Sequence, residues 1–435
     1  MSYLRGTRLE EPDLLFDKTD TSARNNIPYR GLRSFGPYDK DHTIMRLLVL
    51  TPESVKSSMD RLINALNNGS VRFPGGLKRF FRSRIEVVRT ITITSHRIED
   101  YQESANEIIK TYDPKEIDLI LCYIPLTNKY ITNTPYYFLK AIFSSYGFPS
   151  QMVTSMVFSN FEWSLLNLAT AIFAKTGGVP WVLADGLNEI DMILGISISN
   201  RITAKSRAGK RPRYVGCVNV FDRYGRWRFF EGTATIYNEN IKSRMQQLNE
   251  LFSGCITKYR STQHRMPRNI VLHYYKRFSR FEIEKIEELL NDLLGEHNLA
   301  CISINSNHPF RVYNKSVPDG SFQRGSYVEF NESRYLLSTT GETAIAGRRM
   351  GTPKLLDIKI IHMTDDFTSK NELVKGIFYL TKLNWGTSMP MVREPITLTF
   401  SEALAYLTAV LTEDEWMGII KTQINPILSR RPWFI

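Results

Sequence analysis

The sequence contains few features of secreted, metal-clustered or membrane proteins. Among its 435 residues are only 4 cysteines, scattered without a CxxC motif or a neighbouring histidine pair. That pattern argues against a zinc site or a disulfide framework and is typical of a reducing compartment. No apolar run reaches the ~18 residues that span a bilayer, and the first residues, MSYLRGTRLEEPDLL, carry charges where a signal peptide has an apolar core. We therefore expect a soluble, cytoplasmic protein.

What the chain has in excess is positive charge. Its formal net charge is +12, while 42% hydrophobic and 23% charged residues are ordinary values that exclude a disordered or fibrous chain. At about 150 residues per domain, the length corresponds to two or three domains. A basic excess of this size indicates a polyanionic partner through steering and counterion release, with mere solubility as the alternative.

The hydrophobic pattern predicts two different α/β layers after a polar, turn-rich arm over residues 1–40. From Ile44 to Thr176, strand-length apolar runs alternate with helical ones, which is typical of a doubly wound parallel sheet. The strands of this half are expected at Ile44–Leu50, Ile85–Thr94, Asp118–Pro125 and Gln151–Phe158. From Asp191 onwards, three successive strands precede a helix–strand–helix–strand order, the order of an RNase H-like layer.

One polar set of the first half suits a terminal phosphate. Tyr136 and Lys140 lie four residues apart on one helical face, Gln151 opens the next strand, and Lys175 ends the following helix. Such positions converge on a ligand crevice in doubly wound sheets. Two ammonium groups neutralise a phosphate, while a hydroxyl and an amide add donors. The alternative is an ordinary solvated face with a lysine that complements a helix dipole.

An RNase H-like layer cleaves nucleic acid with two metal ions held by carboxylates. At the first two positions where such acids are required, this sequence has Ser197 (ILGISIS) and Tyr275 (VLHYYKR). Hydroxyl groups do not replace carboxylates on hard cations. Glu231 and Glu402 remain, but two carboxylates without the central pair make a poor two-metal site, so we expect no cleavage.

Three basic clusters with interleaved aromatic residues favour contact with a nucleic-acid backbone. They are Lys78–Arg84, Lys205–Arg213 and Lys276–Arg280. Phosphate contact together with base stacking is one use of such clusters, and a solvated loop or helix face is the other.

Several segments in the same order resemble one family. YYFLKAIFSSYGFPSQMV, LNLATAIFAKTGGVPWVL and DMILGISIS resemble the junction between the MID and PIWI domains of an Argonaute, and NIVLHYYKRFSRFEIEKI, KLNWGTSMPMVREPITLTFSEALAYL and the final RRPWFI resemble later PIWI elements. The likeness covers residues 30 to 435 and leaves no room for N and PAZ domains. The chain thus resembles a short prokaryotic (archaeal-type) Argonaute.

This resemblance implies an α/β fold in which a Rossmann-like MID domain (residues 41–175) precedes an RNase H-like PIWI domain (residues 176–435). It implies that Tyr136, Lys140, Gln151 and Lys175 bind the 5′-phosphate of a guide. A divalent cation such as Mg²⁺ would bridge that phosphate, Gln151 and the terminal carboxylate of Ile435. The nuclease tetrad falls on Ser197, Tyr275 and Glu402, with Glu231 as the glutamate finger, and it is degenerate.

The resemblance also implies partners. These are a short 5′-phosphorylated guide, RNA in preference to DNA, a complementary target DNA, and an APAZ-containing protein with a TIR, SIR2, nuclease or membrane effector. Guided binding would then activate the effector in defence against invading DNA. Two other functions stay open, namely a metal-dependent guided nuclease with an unusual carboxylate set and a phosphate-binding structural subunit that takes no guide.

Overall fold

A computed structural model gives the fold of most of the chain. It describes residues 4, 6–126, 134–200, 213–233, 241–318, 320, 322–341, 353–365, 367–387, 392–409, 411–420, 428 and 431–435. The strands are β1 (Gly6–Arg8), β2 (Leu14–Leu15), β3 (Arg24–Asn25), β4 (Ile44–Pro52), β5 (Arg84–Ile93), β6 (Leu119–Tyr123), β7 (Ser150–Val153), β8 (Val182–Leu183), β9 (Met192–Asn200), β10 (Arg213–Asp222), β11 (Trp227–Gly232), β12 (Asn269–Tyr274), β13 (Asn298–Asn305), β14 (Ser326–Asn331), β15 (Arg334–Leu337) and β16 (Leu356–Met363). The helices are α1 (Pro28–Phe35), α2 (Lys56–Asn68), α3 (Gly76–Phe80), α4 (Ile98–Thr111), α5 (Pro135–Ser145), α6 (Ser155–Ser159), α7 (Phe161–Lys175), α8 (Ile241–Gln263), α9 (Arg280–Leu294), α10 (Lys370–Leu380), α11 (Ile396–Thr408) and α12 (Glu413–Ile420).

The first half of the chain forms a parallel sheet with helices on both faces. Its strand order is β5-β4-β6-β7, and every neighbouring pair is parallel. Leu47 and Val49 of β4 pack in one core with α2 and α7, whereas Leu48 and Leu50 pack in another with α4 and α5. Because both faces of β4 are buried, the sequence of this strand is a nearly continuous apolar run. The predicted Rossmann-like layer is confirmed.

The second half forms a mixed sheet. Among the described residues its strand order is β1-β14-β15-β16-β13-β12-β9-β10-β11. β9, β10 and β11 form an antiparallel meander, while β12 runs parallel to both β9 and β13. Residues of α8 and α9 pack with β9 and β10 in a core on one face, and α11 lies against β9 on the other. This is the predicted RNase H-like order, which is also confirmed.

Two local predictions differ from the structure. The strand expected at Gln151–Phe158 ends at Val153, and a short helix, α6, follows. Residues of the predicted arm form strands, since β1 pairs with β14 at the edge of the large sheet and β2 pairs with β8. The domain boundaries after residues 40 and 175 stay predictions.

The last residues of the chain lie where the two halves meet. Trp433 and Phe434 are 1% and 4% exposed. The Phe434 ring contacts the rings of Phe400 and Trp227, which belong to the second half. Arg431 donates to the carbonyl of Asp118, which precedes β6 in the first half. The C-terminal segment, residues 431–435, thus joins the two layers by burial.

Within the described part of the chain, no helix combines the length and the apolar character needed to cross a membrane.

Candidate phosphate-binding site

Two lysines from different helices reach the start of β7. Lys140 lies on α5, and Lys175 is the last residue of α7. Gly147 has φ = 94°, a backbone conformation that favours glycine, and it turns the chain from α5 towards β7. Ser150 and Gln151, the first residues of β7, are thereby placed beside both lysines.

The hydrogen bonds of the two lysines bring together three of the predicted site residues. The carbonyl oxygen of Ser150 accepts from Lys140 Nζ (2.8 Å) and from Lys175 Nζ (3.2 Å). Lys175 Nζ also donates to Gln151 Oε1 at 2.6 Å. Lys140 Nζ donates to the carbonyl oxygen of Trp433 at 3.1 Å. The predicted convergence of Lys140, Gln151 and Lys175 is therefore seen in the geometry, while their role in phosphate binding stays a prediction.

Both ammonium groups are buried without a counter-charge. Lys140 is 3% exposed and Lys175 is 1% exposed. No carboxylate of the described residues forms an ion pair with either of them. Burial lowers the pKa of Lys140 to about 8, and burial together with the adjacent Lys140 ammonium lowers the pKa of Lys175 well below its usual range. Buried cations normally have anionic partners, so this pair favours an anion as its ligand.

A cavity beside Lys140 provides room for such a ligand. Its volume is about 290 Å³. The Tyr136 ring lies at its wall and packs edge-on against Tyr137, with 5.0 Å between ring centroids. The full lining is Tyr136, Tyr137, Lys140, Thr399, Glu402, Ala403, Tyr406, Leu407 and Phe434. The cavity is therefore bounded by α5, α11 and the C-terminal segment.

The lowered lysine pKa values predict that phosphate binding weakens as the pH rises. Between pH 7 and 9 a terminal phosphate keeps its charge, because its second pKa is about 6. The lysines must be protonated to bind it, so the complex takes up protons that the free site has partly lost near a Lys140 pKa of about 8. The affinity for a 5′-phosphorylated guide should fall by up to about tenfold per pH unit for each proton taken up. Titration of 5′-phosphate and 5′-hydroxyl guides from pH 7 to 9 tests this, and equal pH dependence for both would contradict it.

The two predicted nuclease positions that lack acids do lie together. Ser197 is buried on β9, and Tyr275 follows β12 with 43% of its surface exposed. The parallel register pairs Tyr274 with Ile196, so the next residues, Tyr275 and Ser197, are neighbours at the point where β12 ends. Neither side chain is a carboxylate.

Glu231 lies on the other face of the sheet, which corrects its assignment as a glutamate finger. The antiparallel registers place Glu231 opposite Val218 and Val218 opposite Ile196. Residues paired in this way point to the same face, and Val218 and Ile196 pack in the core with α8. Glu231 forms an ion pair with Lys258 of α8 at 2.6 Å. Ser197 follows Ile196 and points to the opposite face, towards α11.

Glu402 lies on α11 and lines the cavity beside Lys140. A Cβ atom added at Gly195 of β9 would meet the Thr397 carbonyl and the Ser401 hydroxyl, so these two residues of α11 face the sheet. Glu402 is turned about 100° from Ser401 on the helix and lines the cavity beside Lys140. Its assignment to the nuclease tetrad stays a prediction. The direction in which Glu402 points follows from how α11 is rotated about its axis against the sheet.

The oxygen donors near the site are of the chemical type that hard cations prefer. Gln151 offers an amide oxygen, although Lys175 donates to it. Ile435 ends the C-terminal segment, and Glu402 adds a carboxylate at the cavity. Mg²⁺ prefers such oxygen ligands, but two adjacent ammonium groups repel it until a phosphate is bound. Across the described residues no group of three or more His, Cys, Asp or Glu could hold a metal.

Two of the basic clusters, Lys78–Arg84 and Lys276–Arg280, expose charged rather than phenylalanine side chains. Phe80 and Phe81 of the first cluster are buried, and so is Phe278 of the third. Their rings belong to the cores, so base stacking on them is excluded, while the neighbouring lysines and arginines are exposed. The cluster Lys205–Arg213 falls, up to residue 212, outside the described residues.

Comparisons with known proteins find similarity to Argonautes. No protein-family model matches the chain. It is 21% identical to the Argonaute of Cereibacter sphaeroides over 467 aligned positions, which cover 97% of this chain and 58% of that protein. It is 23% identical to the Argonaute of Aquifex aeolicus over 299 positions, which cover 67% of this chain and 39% of that protein.

Solved Argonaute structures have the same fold. Clostridium butyricum Argonaute, bound to a guide DNA and a 19-mer target DNA, matches with a TM-score of 0.76 at 20% identity over 94% of this chain and 53% of that one. The crystal structure of A. aeolicus Argonaute matches with a TM-score of 0.64 at 18% identity, over 93% and 53%. The chain is thus similar to prokaryotic Argonautes in sequence and fold, as the sequence resemblance predicted. It spans about half the length of the relatives it matches.

Proposed function

We propose that this protein binds a short guide strand through the guide's 5′-phosphate and uses it to pair with complementary target DNA without cleaving it. The observation that carries the proposal is the pair of buried ammonium groups of Lys140 and Lys175, which lack an anionic partner among the described residues. The net charge of +12 supports a polyanionic ligand. The relationship to Argonautes, one of which is solved with guide and target DNA, supports the same class of ligand.

The site suits a phosphate at the end of a strand. Lys140 and Lys175 supply charge, and charge-assisted bonds are about twice as strong as neutral ones. The hydroxyl of Tyr136 adds a donor at the cavity wall, and the amide of Gln151 adds a further polar group. Gln151 and Ile435 are the residues that would hold a Mg²⁺ ion, which would supply positive charge to the phosphate. We favour RNA over DNA as the guide, on the family resemblance.

The lack of cleavage rests on the residues beside β9. Ser197 and Tyr275 have no carboxylate for a hard cation, and Glu231 points to the opposite face of the sheet. A guided nuclease with an unusual carboxylate set is the second candidate. It would need acids from residues other than these.

We further propose, on the family resemblance, that the protein acts as the sensor of a defence system. In that role target pairing changes the state of an APAZ-containing partner and its effector. Sequence specificity then comes from base pairing, while the protein contacts the phosphate backbone.

The test uses the whole chain and labelled guides of one sequence. RNA and DNA guides, each with 5′-phosphate or 5′-hydroxyl, are titrated in Mg²⁺, and the loaded protein is then given complementary or scrambled target DNA. We expect tighter binding of the 5′-phosphate guide by at least about tenfold, worth 1.4 kcal/mol, and retention of intact complementary target. Specific scission opposite the guide would favour the nuclease instead. Absence of specific binding of all four guides would favour a structural subunit that takes no guide.

A further inference from the structure

One face of α11 places a carboxylate at the predicted phosphate cavity. Thr399, Glu402, Ala403 and Tyr406 all line the cavity. Their spacing of three and four residues puts them on one side of the helix. Lys140 lines the same cavity from α5. A phosphate bound here would therefore meet both an ammonium group and a carboxylate.

This arrangement has an electrostatic consequence. A carboxylate and a phosphate in one cavity repel each other, and the repulsion grows as water is excluded. A hard divalent cation removes it, because such ions take oxygen ligands from a carboxylate and a phosphate together. Lys140 is bonded to the carbonyl oxygens of Ser150 and Trp433, on the side of β7 and the C-terminal segment. On the α11 side of the cavity, the carboxylate that would bind the cation is that of Glu402.

We propose that Glu402 is a ligand of the divalent cation that accompanies the guide's 5′-phosphate, and that it makes phosphate binding depend on that cation. The inference rests on the proposed function, since it requires that a phosphate occupies the cavity. It gives Glu402 a role in place of the nuclease position predicted from the sequence. It also adds a side-chain carboxylate to the implied ligands Gln151 and Ile435.

The test compares wild type with Glu402→Gln, which keeps the size of the side chain and removes its charge. Glu284→Gln is the matched control, because Glu284 lies on α9 at the opposite face of the large sheet and is paired only with Arg280 among the described contacts. Guides with 5′-phosphate and 5′-hydroxyl are titrated at constant ionic strength in Mg²⁺ or EDTA. Mn²⁺ retained by each complex is counted by electron paramagnetic resonance. Thermal unfolding confirms that the variants are folded.

For wild type and Glu284→Gln we expect EDTA to weaken 5′-phosphate binding at least about tenfold, with one more Mn²⁺ retained than with the 5′-hydroxyl guide. Glu402→Gln should bind the phosphate guide equally in Mg²⁺ and EDTA and should not retain that ion. Full EDTA sensitivity in Glu402→Gln overturns the proposal. Tighter binding by Glu402→Gln in both buffers also overturns it, since the carboxylate would then act by repulsion alone. If wild type binds the 5′-phosphate and 5′-hydroxyl guides with equal affinity, the proposed function is contradicted instead.

Discussion

Replacing Lys175 with methionine should remove most of the preference for a 5′-phosphorylated guide without weakening the fold. A charge-assisted hydrogen bond contributes ~1.5–3 kcal/mol, so the affinity for the phosphate guide should fall about ten- to a hundredfold. The 5′-hydroxyl guide should bind as before. Fluorescence titration of both guides measures the difference.

The same substitution should raise the stability of the fold, because Lys175 is a buried ammonium group with a lowered pKa. Methionine fills a similar volume without a charge. The Ser150 carbonyl keeps its bond from Lys140, and the half-buried Gln151 can turn towards solvent. The thermal midpoint of the variant should equal or exceed that of wild type.

The pH dependence of stability follows from the direction of the Lys175 shift. A lysine whose pKa is lower in the folded state disfavours folding increasingly as the pH falls. The advantage of Lys175→Met should therefore widen from pH 9 to pH 6.5. Lys285→Met, on α9 of the far sheet face, is the control for both guide affinity and midpoint. A large loss of stability in Lys175→Met together with loss of binding for both guides would count against a phosphate-binding role.

Much of the phosphate site could be predicted from the sequence because its geometry is local. Lys140 lies on α5 just before β7, Gln151 is the second residue of that strand, and Lys175 ends α7, which follows β7 after the short helix α6. Because the helices of a doubly wound layer run antiparallel to its strands, the end of α7 lies at the same edge of the sheet as the start of β7. The bond between Lys175 and Gln151 is the result.

The positions of Glu231 and Glu402 could not be predicted in this way. The face of a strand residue depends on register, and one residue of shift reverses it; the β9–β10 ladder contains such an irregularity between Val215 and Cys217. The direction of Glu402 depends on how α11 is rotated against β9, which its own sequence does not state. Backbone acceptors such as the Trp433 carbonyl have no sequence signal at all.

Phe434→Ala, in the C-terminal segment, should lower both the free energy of unfolding and the preference for a 5′-phosphorylated guide. Phe434 is 4% exposed and packs against Trp227, Phe400 and Trp433. Removing such a ring costs about 3–5 kcal/mol of unfolding free energy. The ring also lines the cavity, and the preceding carbonyl, that of Trp433, accepts from Lys140. Loosening the segment therefore disturbs the lysine as well as the core.

A matched variant separates the two effects. Phe252 of α8 is fully buried in the core on the opposite face of the large sheet. Phe252→Ala should lose a similar ~3–5 kcal/mol but keep the full ratio of 5′-phosphate to 5′-hydroxyl guide affinity, measured at a temperature where both variants are folded. Phe434→Ala should lose most of that ratio. If both variants keep it, the C-terminal segment contributes to the core and not to the phosphate site.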